Sequence, residues 1–144
     1  MYFRDDFSWL SNMHTCAIEY QGLTYPSVES FFQAMKTTDI AERVQFTKMG
    51  GFKAKAAGRR LVLRPNWNEL RVKAMTVAID LKFNQQKWRD LLLSIKEPII
   101  EHNNWHDNFW GSCVCVKCGN KGANVLGKIL ENKKKNLLGA KNEQ

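Results

Sequence analysis

We predict a short helix for Pro26-Ser27-Val28-Glu29-Ser30-Phe31-Phe32-Gln33-Ala34-Met35-Lys36. The proline breaks the preceding structure, and Ser27 is suited to cap the helix by accepting a backbone hydrogen bond. The apolar residues share one sector at about 100° per residue, namely Val28, Phe31, Phe32 and Met35. Glu29, Gln33 and Lys36 fall together in the next sector, along about 10 Å of helix. The helix is therefore predicted to carry a polar row beside a core-facing surface.

This polar row has two interpretations. A carboxylate, an amide and an ammonium in line can hold a polar ligand at several points, with Phe32 as a buried wall beside them. The same residues also fit a solvated helix face, which the pattern alone favours. Both interpretations stay open at this level.

Other elements follow from hydrophobic spacing and from turn residues. Residues 3–25 are predicted to be extended, with a hairpin around Gln21-Gly22. Helices are predicted at residues 40–48, 52–60, 67–83, 86–95 and 123–138, and a strand at residues 99–102. Asn66 is expected to cap the longest of these helices, whose predicted core residues are Leu70, Ala74, Val77, Ala78 and Leu81. We therefore expect one α+β domain over residues 1–138, mainly helical with a small β-sheet, and a basic, flexible tail at residues 139–144.

The composition indicates a soluble protein with anionic partners. The 144 residues include five Trp, eight Phe and three Tyr, enough to build a core and to provide stacking surfaces for a planar ring. No apolar run has the length of a membrane span, and residues 1–6 do not resemble a signal peptide. We therefore expect a cytoplasmic protein with no membrane partner. The formal charge of +8 favours phosphorylated partners without choosing between a small ligand and nucleic acid.

Three cysteines lie close together in Cys113-Val114-Cys115-Val116-Lys117-Cys118. They suggest zinc, with Cys16, His102 or His106 as a fourth ligand. However, structural zinc sites typically pair Cys-x₂₋₄-Cys with a second, separated pair, which this chain lacks. The alternation also fits a strand with Cys113 and Cys115 on one face. We expect reduced thiols and no metal or other cofactor, as in a reducing compartment.

Several motifs together resemble the NADAR superfamily and its YbiA-like N-glycosidases. The central signature is matched by Tyr25-Pro26-Ser27-Val28-Glu29 and Phe32-Gln33-Ala34-Met35-Lys36. The other blocks follow in the family's order: Phe7-Ser8-Trp9-Leu10-Ser11-Asn12, Ala54-Lys55-Ala56-Ala57-Gly58-Arg59, Arg64-Pro65-Asn66-Trp67, Glu101, Asp107-Asn108-Phe109-Trp110-Gly111, and Gly122-Ala123-Asn124-Val125-Leu126-Gly127. Each block is weak by itself, and the ordered set is specific.

The resemblance implies hydrolysis of a C–N glycosidic bond. Such a reaction needs carboxylates to stabilise the sugar cation and to move protons. The implied catalytic residues are Glu29, Lys36, Glu101 and Asp107. A lysine with a lowered pKa offers a second route through a Schiff base. The implied substrate-binding residues are Ser11, Asn12, Phe32, Gln33, Lys55, Arg59, Trp110, Gly111 and Asn124.

The expected substrate is a phosphorylated ribosyl or ADP-ribosyl compound, either a ribosylamine of the riboflavin pathway or ADP-ribosylated guanine in nucleic acid. Ser30 and Phe31 depart from the His-Tyr pair common in the family, which affects the substrate preference. Two other functions remain open. One is a module that senses NAD-derived nucleotides or ADP-ribose without cleaving them. The other is a nucleic-acid-binding protein that is stabilised by a bound metal ion.

Overall fold

The helix predicted around Glu29 forms as α1, Val28–Ala34, in the computed structural model of the protein, which describes residues 1–142 and the side chains of residues 1–140. Ser27 caps it as expected, since its Oγ accepts a hydrogen bond from the backbone N–H of Ser30 at 3.0 Å. All seven residues of α1 are buried. The helix thus lacks a solvated face, because other elements surround it.

The remaining elements confirm a mainly helical α+β fold with very little sheet. In chain order the structure has a 3-10 helix at Asp5–Leu10, β1 (Thr15–Tyr20), β2 (Leu23–Ser27), α1, α2 (Ile40–Phe46), α3 (Gly51–Gly58), α4 (Trp67–Phe83), α5 (Gln86–Ser94), β3 (His102–Asn103), β4 (Ser112–Cys113) and α6 (Val125–Asn142). Two compact units contain them. The middle unit is Ser11–Asn84, and the terminal unit joins Met1–Leu10 to the chain from Gln85 onward.

The predicted hairpin is confirmed in the middle unit. β1 and β2 pair antiparallel with Ile18 opposite Tyr25. Gln21 and Gly22 make the turn with φ of 49° and 81°, which a glycine accepts readily. Alternate residues of β1 are buried, so one face of the hairpin supports α1, which also packs on α3 and α4.

The extended structure predicted for residues 3–14 is wrong. The 3-10 helix occupies Asp5–Leu10, with the Phe7 N–H donating to Arg4 O at 3.0 Å and the Trp9 indole donating to Asp6 O at 3.0 Å. Residues 11–14 then form turns. This segment has no apolar and polar alternation, so local turns determine its structure.

Helix α4 has the predicted bounds but a different cap and core face. Asn66 precedes it in a left-handed conformation, φ 63°, and makes no side-chain cap bond within the described residues. Of the predicted core residues only Ala78 is fully buried, and the others are half-buried. Several of them border a surface groove shared with Phe31 and Met35. The buried residues of α4 are Trp67, Met75, Ala78, Ile79, Lys82 and Phe83.

In the terminal unit, the strand predicted at residues 99–102 is displaced. β3 covers only His102–Asn103 and pairs parallel with β4. The backbone N–H groups just before β3 donate hydrogen bonds to side chains. The Ile99 N–H donates to the Glu131 carboxylate at 2.7 Å, and the Glu101 N–H donates to Asn124 Oδ1 at 2.9 Å. These bonds replace the ladder that a longer strand would form.

Two further predictions concern the C-terminal part of the chain. β4 ends at Cys113, so the idea that Cys113 and Cys115 share a strand face is wrong. Helix α6 reaches Asn142, beyond the predicted domain boundary at residue 138, and residues 143–144 of the predicted tail lie outside the described residues. Within the described part of the chain, the helices are all too short or too polar to cross a bilayer.

Candidate active site

The centre of the candidate site is a buried pair on α1. Gln33 Nε2 donates a hydrogen bond to Glu29 Oε1 at 2.7 Å, and the two side chains are only 4% and 8% exposed. Burial raises the pKa of Glu29, while the bond from Gln33 and the charges of Lys55 and Lys36 oppose the rise. The alternative of a solvated face is therefore wrong for this pair. A buried carboxyl of this kind can hold a proton at a higher pH than an exposed one.

Lys36 lies just beyond the C-terminal end of α1 and is half-buried. Its backbone is fixed on both sides, since its N–H donates to Gln33 O at 3.1 Å and its carbonyl accepts from the Arg64 N–H at 2.8 Å. Burial lowers the pKa of Lys36, with Arg59 and Lys55 acting in the same direction and Glu29 opposing them. An amine in this environment loses its proton more readily than an exposed lysine, as a nucleophile requires.

Helix α3 completes what we call the α1–α3 polar cluster: Glu29, Gln33, Lys36, Lys55 and Arg59. Lys55 and Arg59 are exposed; the charge of Lys55 acts on Glu29 and on Lys36, and the charge of Arg59 acts on Lys36. The helices approach closely at Gly58, where an added Cβ would overlap Gln33 Oε1. The structure therefore brings five predicted site residues together, with an anion-attracting rim above a buried carboxyl.

The predicted Ser11-Asn12 loop joins the start of α1. The Glu29 N–H donates to Asn12 O at 3.0 Å, and Ser11 Oγ accepts from the Met13 N–H at 3.1 Å, which closes a turn. Two amide oxygens, Asn12 Oδ1 and Gln33 Oε1, are buried with no hydrogen-bond partner among the described residues. Leaving such an acceptor unpaired costs about 1–3 kcal/mol, so both are suited to a ligand hydroxyl. Phe32 is buried and packs on Trp67, with ring centroids 5.3 Å apart, and its role beside a ligand stays a prediction.

The two residues that depart from the family motif, Ser30 and Phe31, make contacts inside the middle unit. The buried Ser30 hydroxyl donates to Met49 O at 2.6 Å and lies 2.9 Å from Ser27 Oγ. Phe31 packs edge-on against Tyr20 and Tyr25, with ring centroids 5.2 Å and 5.6 Å apart. These positions therefore serve the core of the middle unit.

The other predicted residues lie together in the terminal unit. Asp107 Oδ1 accepts from the N–H groups of Phe109 and Trp110, at 3.1 and 3.0 Å, and so fixes the turn that carries the half-buried Trp110 ring. A Cβ on Gly111 would overlap Glu101 O, so the glycine permits close packing there.

Asn124 links these terminal-unit residues. Its backbone N–H donates to Gly111 O at 3.0 Å, and its side chain bonds to the backbone of Ile99 and Glu101 on either side of Ile100. Its amide therefore positions the chain that carries Glu101. The roles assigned to these residues stay predictions.

Lys82 is a buried charged residue that the sequence analysis missed. It is 1% exposed in α4, and its Nζ donates to Ser11 O at 3.4 Å. Burial lowers the pKa of Lys82 to about 8, with Cys16 opposing the shift. The available signal was its position three and four residues after Ile79 and Ala78, on the buried stripe of α4.

Comparison with known proteins places this chain in a family. The NADAR domain model matches residues 2–138. The N-glycosidase YbiA of Shigella sonnei is 32% identical over 132 residues, which covers 88% of this chain and 79% of that protein. YbiA of Escherichia coli K12 is 30% identical over 131 residues, with the same coverage. The riboflavin biosynthesis protein VVA0006 of Vibrio vulnificus is 28% identical over 132 residues, covering 34% of that protein.

A solved structure supports the same assignment. The NMR structure of E. coli YbiA matches with a TM-score of 0.82 at 30% identity, covering 100% of this chain and 86% of that one. The fold thus defines a small, mainly helical α+β protein, whose candidate site holds a buried carboxyl–amide pair and a half-buried lysine. This chain belongs to the NADAR family, and the resemblance indicated by its motifs is confirmed. Its relatives support a general N-glycosidase role.

Proposed function

We propose that this protein is an N-glycosidase that hydrolyses the C–N bond between a ribose phosphate or ADP-ribose and an amine of a nitrogenous base. The observation that carries the proposal is the pairing of a buried, hydrogen-bonded Glu29 with a half-buried Lys36, whose pKa values are shifted in opposite directions. A raised carboxyl pKa and a lowered lysine pKa both move towards neutral pH, which is typical of groups used in acid–base and nucleophilic catalysis. The names of the YbiA relatives support the same reaction class.

The first half of the reaction uses both residues. The amine nitrogen of the substrate gives its electron pair to C1, the bond from C1 to the ring oxygen breaks, and Glu29 protonates that oxygen. Neutral Lys36 then adds to C1. The proton that Lys36 loses passes to the original amine, which departs as the old C–N bond breaks. A Schiff base then joins C1 to Lys36.

The second half restores the enzyme. Water adds to C1, and the Glu29 carboxylate takes one of its protons. The bond between C1 and Lys36 breaks, the amine recovers a proton from the new hydroxyl, and the sugar leaves as an aldehyde that closes to its ring form. The sum is one amine and one sugar released for one water consumed.

The exposed cations Lys55 in α3 and Arg59 directly after it support a phosphorylated sugar as the substrate. Lys55 and Arg59 can attract phosphate, while the unpaired oxygens of Asn12 and Gln33 suit sugar hydroxyls. Two substrate classes fit: ribosylamine phosphates of the riboflavin pathway, in line with the name of the Vibrio relative, and ADP-ribose attached to guanine in nucleic acid. The formal charge of +8 favours the second class.

The test combines release of base with trapping. Purified protein is incubated with each substrate class, base release is followed by chromatography, and borohydride is added to reduce any Schiff base. We expect sugar mass on Lys36, and loss of activity by about 100-fold or more in Glu29→Gln and Lys36→Ala. Lys48→Ala, which removes an exposed lysine of the same unit, should leave both readouts unchanged.

Each other outcome contradicts a defined part of the proposal. Base release without a trapped adduct would exclude the covalent route and leave direct attack by water, with carboxylates stabilising the sugar cation. Binding without base release in both substrate classes would exclude the enzyme and favour a sensor. Full activity of Glu29→Gln would exclude the α1–α3 polar cluster as the catalytic site.

A further inference from the structure

Four ligand-type side chains converge in the terminal unit, apart from the α1–α3 polar cluster. They are His106, Cys113, Cys115 and Cys118, and their ligand atoms all lie within 4.8 Å of one another. All three cysteines are free thiols. We call this group the Cys₃His cluster. The NADAR motifs and the proposed reaction make no use of these four side chains.

The nitrogen–sulfur distances match those of tetrahedral zinc. His106 Nδ1 lies 3.3 Å from Cys118 Sγ, 3.6 Å from Cys115 Sγ and 3.7 Å from Cys113 Sγ. For Zn–S of about 2.3 Å and Zn–N of about 2.0–2.1 Å at tetrahedral angles, a nitrogen and a sulfur ligand lie about 3.6 Å apart. His106 Nδ1 therefore lies from each of the three sulfurs at about the distance that separates two ligands of the same zinc ion.

The backbone around the thiols is folded for such a site. The Cys118 N–H donates to Cys115 Sγ at 3.3 Å, and the Gly119 N–H donates to Cys115 O at 2.8 Å. Gly119 and Asn120 then adopt positive φ, 65° and 58°, which turns the chain back. A backbone N–H aimed at a sulfur stabilises that sulfur as a thiolate, the form that binds metal.

Neighbouring loops hold the other two ligands. The Cys113 N–H donates to Asn108 Oδ1 at 2.9 Å, and its carbonyl accepts from the Asn120 N–H at 2.9 Å. His106 has φ of 68°, and the Asp107 N–H beside it donates to the buried Asn103 side chain at 3.1 Å. The Cys₃His cluster is therefore assembled by a network of hydrogen bonds.

We propose that His106, Cys113, Cys115 and Cys118 bind one zinc ion that stabilises the terminal unit. Three sulfurs and one imidazole nitrogen form a donor set typical of structural zinc, and four protein ligands fill the coordination sphere, which leaves none open for catalysis. This proposal replaces the expectation of reduced thiols without metal. His106 lies seven residues before the first cysteine and serves as the ligand that a second pair usually provides.

The position of the cluster indicates what the zinc does. His106 directly precedes Asp107, which fixes the turn of Trp110, and Cys113 ends β4. Zinc therefore ties the loop that carries Asp107 and Trp110 to the turn after β4. Since binding of a structural zinc contributes free energy to folding, its removal should loosen this loop before the rest of the unit.

The test is metal analysis of the full chain, purified with reductant and without a histidine tag or chelator. We expect about one zinc per chain. Cobalt in place of zinc should give the visible absorption of a tetrahedral site with a sulfur charge-transfer band. Cys115→Ser and His106→Ala should each weaken zinc affinity by about 100-fold or more, measured against a competing chelator.

Matched variants separate the site from general effects on folding. Cys16→Ala changes the one cysteine outside the cluster and should keep about one zinc per chain. His106→Cys should recover the zinc binding that His106→Ala loses, and the cobalt form should show a stronger sulfur charge-transfer band than the wild type. Absence of bound zinc together with failure to take up added zinc or cobalt would overturn the proposal. Two other results would also overturn it. One is a disulfide within the cluster of protein purified with reductant, and the other is a loss of zinc in Cys16→Ala as large as that in Cys115→Ser.

Discussion

The side chain of Gln33 lies directly on Gly58, so close that a methyl group at residue 58 would overlap the amide oxygen. This contact sets the spacing of α1 and α3 at the point where Gln33 also donates to Glu29. Because Gly58 has no side chain, the Gln33 amide can occupy the position from which it donates to the buried carboxyl of Glu29.

The first prediction concerns this contact. In Gly58→Ala the amide of Gln33 must move away, and its bond to Glu29 is lost or lengthened. We expect the free energy of unfolding to fall by about 1–3 kcal/mol, as for overpacking, and kcat to fall more than KM rises. Gly139→Ala is the control, because its added Cβ meets no described atom within 4 Å. It should stabilise α6 by up to about 1 kcal/mol. Unchanged kcat in Gly58→Ala would show that the position of Gln33 is irrelevant to the chemistry.

The second prediction concerns the pH profile of kcat/KM. The charge of Lys55 lowers the pKa values of both Glu29 and Lys36. Removing it in Lys55→Ala should raise both, so both limbs of the bell-shaped profile should move to higher pH. Lys53→Ala, on the same helix but two residues away, should leave the profile in place. Two results would contradict this effect of the Lys55 charge on the two pKa values. One is a shift of the two limbs in opposite directions in Lys55→Ala, and the other is an equal shift in Lys53→Ala.

The third prediction concerns stability and Lys82. The folded protein releases this proton at a pKa of about 8, whereas the unfolded chain keeps it up to about 10.5. Between these pH values unfolding takes up a proton, so stability attributable to Lys82 rises with pH. Relative to Lys82→Met, the wild type should gain up to about 3 kcal/mol between pH 8 and pH 10.5.

Urea unfolding of both proteins across this pH range measures the gain. The exposed Lys73 of the same helix provides the control, because Lys73→Met should follow the wild type. A constant difference between wild type and Lys82→Met would show that Lys82 has an ordinary pKa in the folded protein.

The fourth prediction separates two roles of Asp107. An asparagine keeps the oxygen that accepts from the Phe109 and Trp110 N–H groups, while alanine removes it. Asp107→Asn should therefore retain the wild-type melting temperature, and Asp107→Ala should lose about 1–2 kcal/mol of stability. Equal destabilisation by both would contradict this contact. Activity is the second readout: a large loss in a stable Asp107→Asn assigns a catalytic task to the charge, and near-normal activity assigns positioning.

Local signals were sufficient for much of the fold. The Pro26-Ser27 start of α1, the Gln21-Gly22 turn and the bounds of α4 followed from capping, turn chemistry and helical spacing. The motif blocks placed the chain in its family, which the comparisons confirm. These features depend on residues that are close together in sequence.

The remaining features depend on contacts between distant residues. The segment before β3 is held by Asn124 and Glu131, more than twenty residues away, so its apolar composition wrongly predicted a strand. The burial of Glu29 arises because α3 packs across α1, which helical spacing within α1 cannot show. Likewise, the alternating cysteines predicted a strand, because the turn that brings His106 back to them depends on tertiary hydrogen bonds.

The burial of α1 limits which residues of this protein can change without loss of stability. Each residue from Val28 to Ala34 is buried, so a substitution there alters the packing of several neighbours at once. New substrate preferences would arise more readily at Lys55 in α3 and at Arg59 directly after it, because both side chains are exposed and can be exchanged without disturbing the core. The proposed function assigns the chemistry to Glu29 and Lys36 and the phosphate contacts to Lys55 and Arg59, so directed evolution should find its tolerated changes at Lys55 and Arg59.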